Sequence, residues 1–130
     1  MTESLKEHVA GWLAKADNDL ISASRLIEIE PMILDNACFF CQQACEKYLK
    51  AFLSFKHHDF EKTHDLFYLL RECSDYDADF SAIEIHDLSS FAVQVRYPDS
   101  SISPTPDETR NYFKISEKIR DFVKQRIKLP

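Results

Sequence analysis

Thr63-His64-Asp65 places a hydroxyl, an imidazole and a carboxylate side by side, and Arg96-Tyr97-Pro98-Asp99 places a cation and a ring together later in the chain. An imidazole exchanges a proton near neutral pH, and Thr63 has the side chain of a helix N-cap, so His64 falls at the start of a helix. The unpaired N–H groups and positive dipole end of such a start suit an anion such as phosphate. Lys47 and Lys50, on the preceding helical stretch, add positive charge, and Arg96 with Tyr97 adds a guanidinium and a stacking surface. Lys47, Lys50, Thr63, His64, Arg96 and Tyr97 therefore make a candidate nucleotide or anion site. The structural alternative for His64 is a hydrogen bond that pins the loop to the fold. For Arg96 it is a favourable interaction with the carbonyl end of a helix.

Other reactive side chains fit chemistry less well. His57-His58-Asp59 precede His64, but adjacent histidines at a helix end point in different directions, so no metal site is expected. Cys38, Cys41 and Cys45 stand at i, i+3 and i+7 on one helical face among Phe40, Ala44 and Tyr48, and Cys73 lies apart. That is the spacing of buried thiols rather than of a zinc knuckle or an exposed nucleophile. Glu46 with Lys47 or Lys50 reads as a surface ion pair. A single glycine rules out both GxGxxG and GxxxxGK[ST] phosphate loops. No catalytic residue and no cofactor are assigned.

The elements that must position these groups are helical. Leu5, Val9, Trp12, Leu13, Ala16, Leu20, Ala23 and Ile27 predict a helix over about 5–29, started by Ser4 with Glu7 and ended by Pro31. Asp35 or Asn36 is the expected cap of a central helix that runs to the His57-His58-Asp59 break. Thr63 is the expected cap of a short helix, Asp65 to Arg71. Ser81 with Glu84 predicts a fourth long helix through Ile85, Leu88, Phe91, Ala92 and Val95, ending near Arg96 because Pro98 disfavours helical geometry at Tyr97. Asp99 to Thr105 reads as an exposed loop. Thr105-Pro106-Asp107-Glu108 then combines a cap, a proline at the first turn and an acid three residues on. No strand pattern and no repeat is present. The expectation is one all-α domain over residues 1–130, an up-and-down four-helix bundle with one additional short helix.

The chain carries a net charge of −6, with +3 over residues 107–130 and −9 before them. An acidic chain has little general grip on nucleic-acid backbone, so RNA is not favoured as a partner, and the basic last helix reads as a solvated face. No apolar run is long enough to span a bilayer, and the N-terminus lacks a basic-then-apolar signal, which predicts a cytoplasmic protein with no membrane partner.

Gln42-Gln-Ala-Cys-Glu-Lys-Tyr-Leu-Lys50 resembles the second-helix signature of the HEPN family (higher eukaryotes and prokaryotes nucleotide-binding). Trp12, Asp19-Leu20, Lys62 to Leu66 and Arg96-Tyr97-Pro98-Asp99 match in the same order. The resemblance implies a HEPN-like bundle, nucleotide binding and pairing into homodimers. Ribonuclease members carry an arginine and a following histidine with four to six residues between them. Arg96 resembles that arginine, but Ser101, Ile102 and Ser103 stand where the histidine is expected. The reading is thus a non-catalytic nucleotide- or partner-binding module, the companion of a minimal nucleotidyltransferase in a two-gene, toxin–antitoxin-like system. One alternative is a ribonuclease toxin using Arg96 with a displaced histidine, His86 being ten residues earlier. The other is a structural dimeric adaptor presenting Phe60, Phe67 and Tyr68.

Overall fold

The computed structural model describes residues 1–92 and 103–129. Four α-helices, α1 (Glu3–Glu28), α2 (Leu34–Phe55), α3 (Leu66–Ser74) and α4 (Pro106–Arg126), account for most of them, with 3-10 turns at Ala78–Ala82 and Leu88–Phe91. No strand occurs among the described residues. The all-α class expected from the periodicities is what forms, with three long helices and the short α3. Arg96, Tyr97, Ser101 and Ile102 lie outside the described residues.

The centre of the bundle is α2, which packs against α1, α3 and α4. Its Tyr48, Leu49, Phe52 and Leu53 are fully buried, as their spacing over two turns requires. The cysteine face forms the seam with α4: the Cys45 thiol donates to the Ser116 hydroxyl at 3.4 Å, the Ser116 hydroxyl donates to the Cys41 carbonyl at 3.2 Å, and Cys38 meets Thr109 at 3.5 Å. All four cysteines are buried and none forms a disulfide. Burial pushes the Cys41 and Cys73 thiols well above their ordinary range and Cys45 up to about 12, since a buried site disfavours a thiolate.

The helix starts follow side-chain chemistry, though not always at the expected residue. In α4 the Thr105 hydroxyl accepts from the Glu108 N–H at 3.1 Å while the Glu108 carboxylate accepts from the Thr105 N–H at 2.9 Å, the reciprocal box expected there. In α1 the capping hydroxyl is Thr2, which accepts from the Leu5 N–H, and the Ser4–Glu7 pair is already inside the helix. Neither Asp35 nor Asn36 caps α2; the helix begins at Leu34 after Ile33, which provides no side-chain cap. The cap of α3 is Asp65, and Thr63 instead accepts from the Asp65 N–H.

The predicted fourth long helix does not form over 81–92. The Asp77 carboxylate accepts from the Asp79 N–H and starts a 3-10 turn, and the Ser81 hydroxyl donates back to the Ala78 carbonyl instead of capping a helix. His86 then takes φ 51, a left-handed conformation that no α-helix accommodates. Ile85, Leu88 and Phe91 are all buried. Their spacing of three suits the three-residue turn of a 3-10 helix as well as it suits an α-helix.

Gly11, the lone glycine, sits on the exposed side of α1, where an added Cβ meets nothing within 4 Å. Gly11→Ala is expected to stabilise the fold by about 1 kcal/mol, because alanine restricts the unfolded chain and favours the helix. Thermal denaturation should show a Tm higher by roughly 3–5 °C. A lower Tm would mean that this surface is not open.

Candidate functional site

Gln42, Glu46 and Lys50 follow one another at helical steps of four and form a polar stripe on α2, which the buried Ser54 continues; the other inward positions of the helix are mainly apolar. The Lys50 ammonium lies 3.1 Å from Glu46 Oε2. Neither side chain is at the surface: Glu46 is 5% and Lys50 10% exposed, which corrects the expectation of a surface pair. A buried carboxylate and ammonium hold together only when both are hydrogen-bonded. The second oxygen of Glu46 therefore matters.

Glu46 Oε1 is 2.8 Å from His64 Nδ1 and 3.5 Å from the Gln42 amide nitrogen. The same Gln42 amide donates to the His64 carbonyl at 2.8 Å, and Gln43 donates to the Gln42 side-chain oxygen at 2.8 Å. Two residues of α2 thus clamp His64 by ring and by backbone. The ring nevertheless remains 64% exposed. A proton shared from Nδ1 to Glu46 leaves Nε2 as an acceptor on neutral imidazole and as a second donor on the cation. The Lys50 ammonium also lies 5.7 Å above the Trp12 ring and 5.9 Å from that of Phe60, so α1 and the α2–α3 link close over it.

The structure brings together two of the candidate site residues, Lys50 and His64, and joins them through Glu46. Lys47 is directed away from them, paired with Asp19 of α1. Thr63 is adjacent in sequence, but its hydroxyl is used within its own turn. At the start of α3 the Asp65 carboxylate accepts from the Phe67 and Tyr68 N–H groups, and the Ser89 hydroxyl accepts from the Leu66 N–H at 3.1 Å. The protein's own side chains therefore occupy donors that an incoming anion would otherwise use. Sequence reading missed Glu46 as the centre of the site. Its signal was the four-residue repeat Gln42–Glu46–Lys50 on an apolar helix.

Next to Lys47, the Tyr48 hydroxyl donates to Asp17, and Lys124 of α4 lies 2.9 Å from the same carboxylate. Burial first, and then the neighbouring Asp17 charge, raises the Tyr48 phenol well above its usual range. Asp77, by contrast, is held below the usual carboxylate range by its hydrogen bond from Arg126. Beyond α3, Phe67, Leu70, Arg71, Phe80, Ile83 and Ile85 are among the residues around a groove of about 610 Å³. Phe67 is 59% exposed. Phe60 and Tyr68, by contrast, are half-buried against the core, and the Tyr68 hydroxyl accepts from the Glu61 N–H. No group of three metal-ligating side chains occurs among the described residues. No helix among them is long and apolar enough to cross a membrane.

The fold resembles the crystal structure of an archaeal HEPN homologue, with a TM-score of 0.66 and 22% sequence identity over 92% of this chain and 98% of that one. No curated protein matches the chain. The HEPN domain family matches residues 9–126, which includes α2 with its Gln42–Glu46–Lys50 stripe, the clamped His64 and most of α1 and α4. That match extends over nearly the whole chain, and the chain belongs to the HEPN family, a family of nucleotide-binding and ribonuclease-type modules.

Proposed function

We propose that this HEPN domain is a non-catalytic binding module that holds a nucleotide, or a nucleotide-bearing partner such as a minimal nucleotidyltransferase, and that it works as a homodimer. The observation that carries the non-catalytic reading is the placement of the histidines. His8, His57, His58, His64 and His86 all precede Arg96, so no imidazole follows the arginine to move a proton for RNA cleavage. His86, the displaced substitute, lies in a left-handed link between two 3-10 turns and not on an α-helix.

The ligand contact in this reading is the exposed edge of His64, which Glu46 and Gln42 hold in one orientation at no further cost in side-chain freedom when a ligand arrives. Arg96 and Tyr97 would supply the cation and the stacking ring. Lys50 contributes indirectly, by holding the Glu46 carboxylate in place across 3.1 Å. The purified protein is expected to leave RNA intact, and ATP or AMP at millimolar concentration to move the amide resonances of residues 63–66 and 96–97. Metal-free RNA cleavage lost in Arg96→Ala or His86→Ala would overturn the non-catalytic reading. Unmoved amides would favour the adaptor reading, which the exposed Phe67 beside its apolar groove supports.

A further inference from the structure

Beyond the end of α2, a second polar group forms on different residues. The His58 Nδ1 lies 2.6 Å from the Tyr76 hydroxyl, and its Nε2 lies 3.6 Å from Glu72 Oε1, within ion-pair reach. The chain goes to some trouble to place His58 there. His57 takes φ 57, the left-handed conformation that usually falls to glycine after a helix, and the His58 N–H closes back on the Leu53 carbonyl at 2.9 Å. That turn carries His58 across to α3, where Glu72 sits in the last turns and Tyr76 just after the helix ends. The two rings meet edge to face at 5.3 Å, and Tyr76 leans on the buried Phe52. Tyr76 is 43% exposed.

The arrangement is a hydroxyl within hydrogen-bond distance of an imidazole whose other nitrogen faces a carboxylate, the constellation that activates an oxygen nucleophile. We infer that Tyr76 is an activated phenol that accepts an electrophilic acyl or phosphoryl group, with His58 as its base and Glu72 as the residue that positions His58. In the transfer the Tyr76 oxygen forms a bond to the electrophilic carbon or phosphorus, the bond to the leaving group breaks with its electron pair, and the phenolic proton passes to His58 Nδ1. Glu72 stabilises the imidazolium that results. No oxidant and no metal is needed. The site shares no residue with the Glu46–His64 cluster, so it stands or falls independently of nucleotide binding there.

Tyr68 provides an internal control. Its hydroxyl accepts from the Glu61 N–H instead of meeting an imidazole among the described residues. The four buried thiols do not compete for an electrophile while the protein is folded. The experiment treats the whole protein with p-nitrophenyl acetate, an acyl donor, and in a separate arm with diisopropyl fluorophosphate, a phosphoryl donor, and maps adducts by peptide mass. Tyr76 is expected to be labelled at least about 10-fold faster than Tyr68 by one donor or both, which identifies the group it accepts. His58→Gln should slow Tyr76 labelling on the order of 10²-fold, the usual contribution of a general base. Glu72→Gln should lower the labelling rate and shift its pH profile, an effect that a merely structural contact would not have, and Tyr76→Phe should remove the adduct. Each variant is compared at a temperature where circular dichroism shows it folded. Equal labelling of Tyr76 and Tyr68 by both donors, or a Tyr76 rate unchanged in folded His58→Gln, would overturn the inference.

Discussion

Replacing Glu46 by alanine is expected to remove about 3–5 kcal/mol of stability, because it leaves the Lys50 ammonium buried without a counter-charge. Few single substitutions outside a large apolar core reach that size, and it is a fifth or more of the ~5–15 kcal/mol that holds a typical domain together. The loss has three parts: Lys50 loses its partner, His64 loses the acceptor for its Nδ1, and Gln42 loses one of its three contacts. Replacing both charges, as in Glu46→Leu with Lys50→Met, should recover most of it, since well-packed apolar groups can do as well as a buried pair. Urea denaturation followed by circular dichroism measures both variants. A loss below about 1 kcal/mol for Glu46→Ala would mean that the Lys50 stem swings its head into water, as long cationic side chains do at a surface.

The same residue illustrates what could be read from the chain and what could not. The helices α1, α2 and α4 were legible because a 3.6-residue apolar repeat sustained over five or more turns has no other explanation, and the box at Thr105–Glu108 was legible because its reciprocal bonds are local. The cysteine face was legible for the same reason. Whether Glu46 and Lys50 lie at the surface is not a local property. An i, i+4 pair looks identical on a solvated and a covered face, and what covers this one is Trp12, Phe60 and His64 from elsewhere in the chain. The segment 81–92 was misread because a capping box is only an offer of hydrogen bonds. Asp77 made its bond four residues earlier, and once the chain turned there Ser81 had no helix to cap. In the candidate site, Lys47 and Lys50 looked equivalent in sequence. A step of three residues on a helix turns one toward Asp19 of α1 and the other toward Glu46 and the α2–α3 link.

Stability should fall steeply in alkali, and the buried cysteines of α2 and α3 are the reason. Cys41, Cys45 and Cys73 have thiol pKa values raised by burial, so above an ordinary thiol value of 9.0 the unfolded chain releases protons that the folded chain keeps. The unfolded state then binds fewer protons than the native state, and stability falls as pH rises. It is fully present below pH 9 and, for Cys45, is lost progressively up to about 12, where the native thiol itself ionises. Each thiol contributes a slope of about 1.4 kcal/mol per pH unit, so the three together give about 4 kcal/mol per unit and roughly 8 kcal/mol by pH 11. Tyr48 adds to the slope above its ordinary value of 10.0, since its phenol is raised in the same direction. A loss of that size exhausts a domain of ordinary stability, so unfolding is expected before pH 12 without any denaturant. Urea titrations between pH 7 and 10.5, run with a reductant, measure the slope directly. Cys45→Ala should lower the stability at neutral pH through the space it leaves, yet flatten the alkaline slope by about 1.4 kcal/mol per unit. The two effects have opposite consequences at high pH, where the variant approaches the parent. A slope below about 1 kcal/mol per unit in the parent protein would show that the thiols ionise in place and that water reaches them in the folded state.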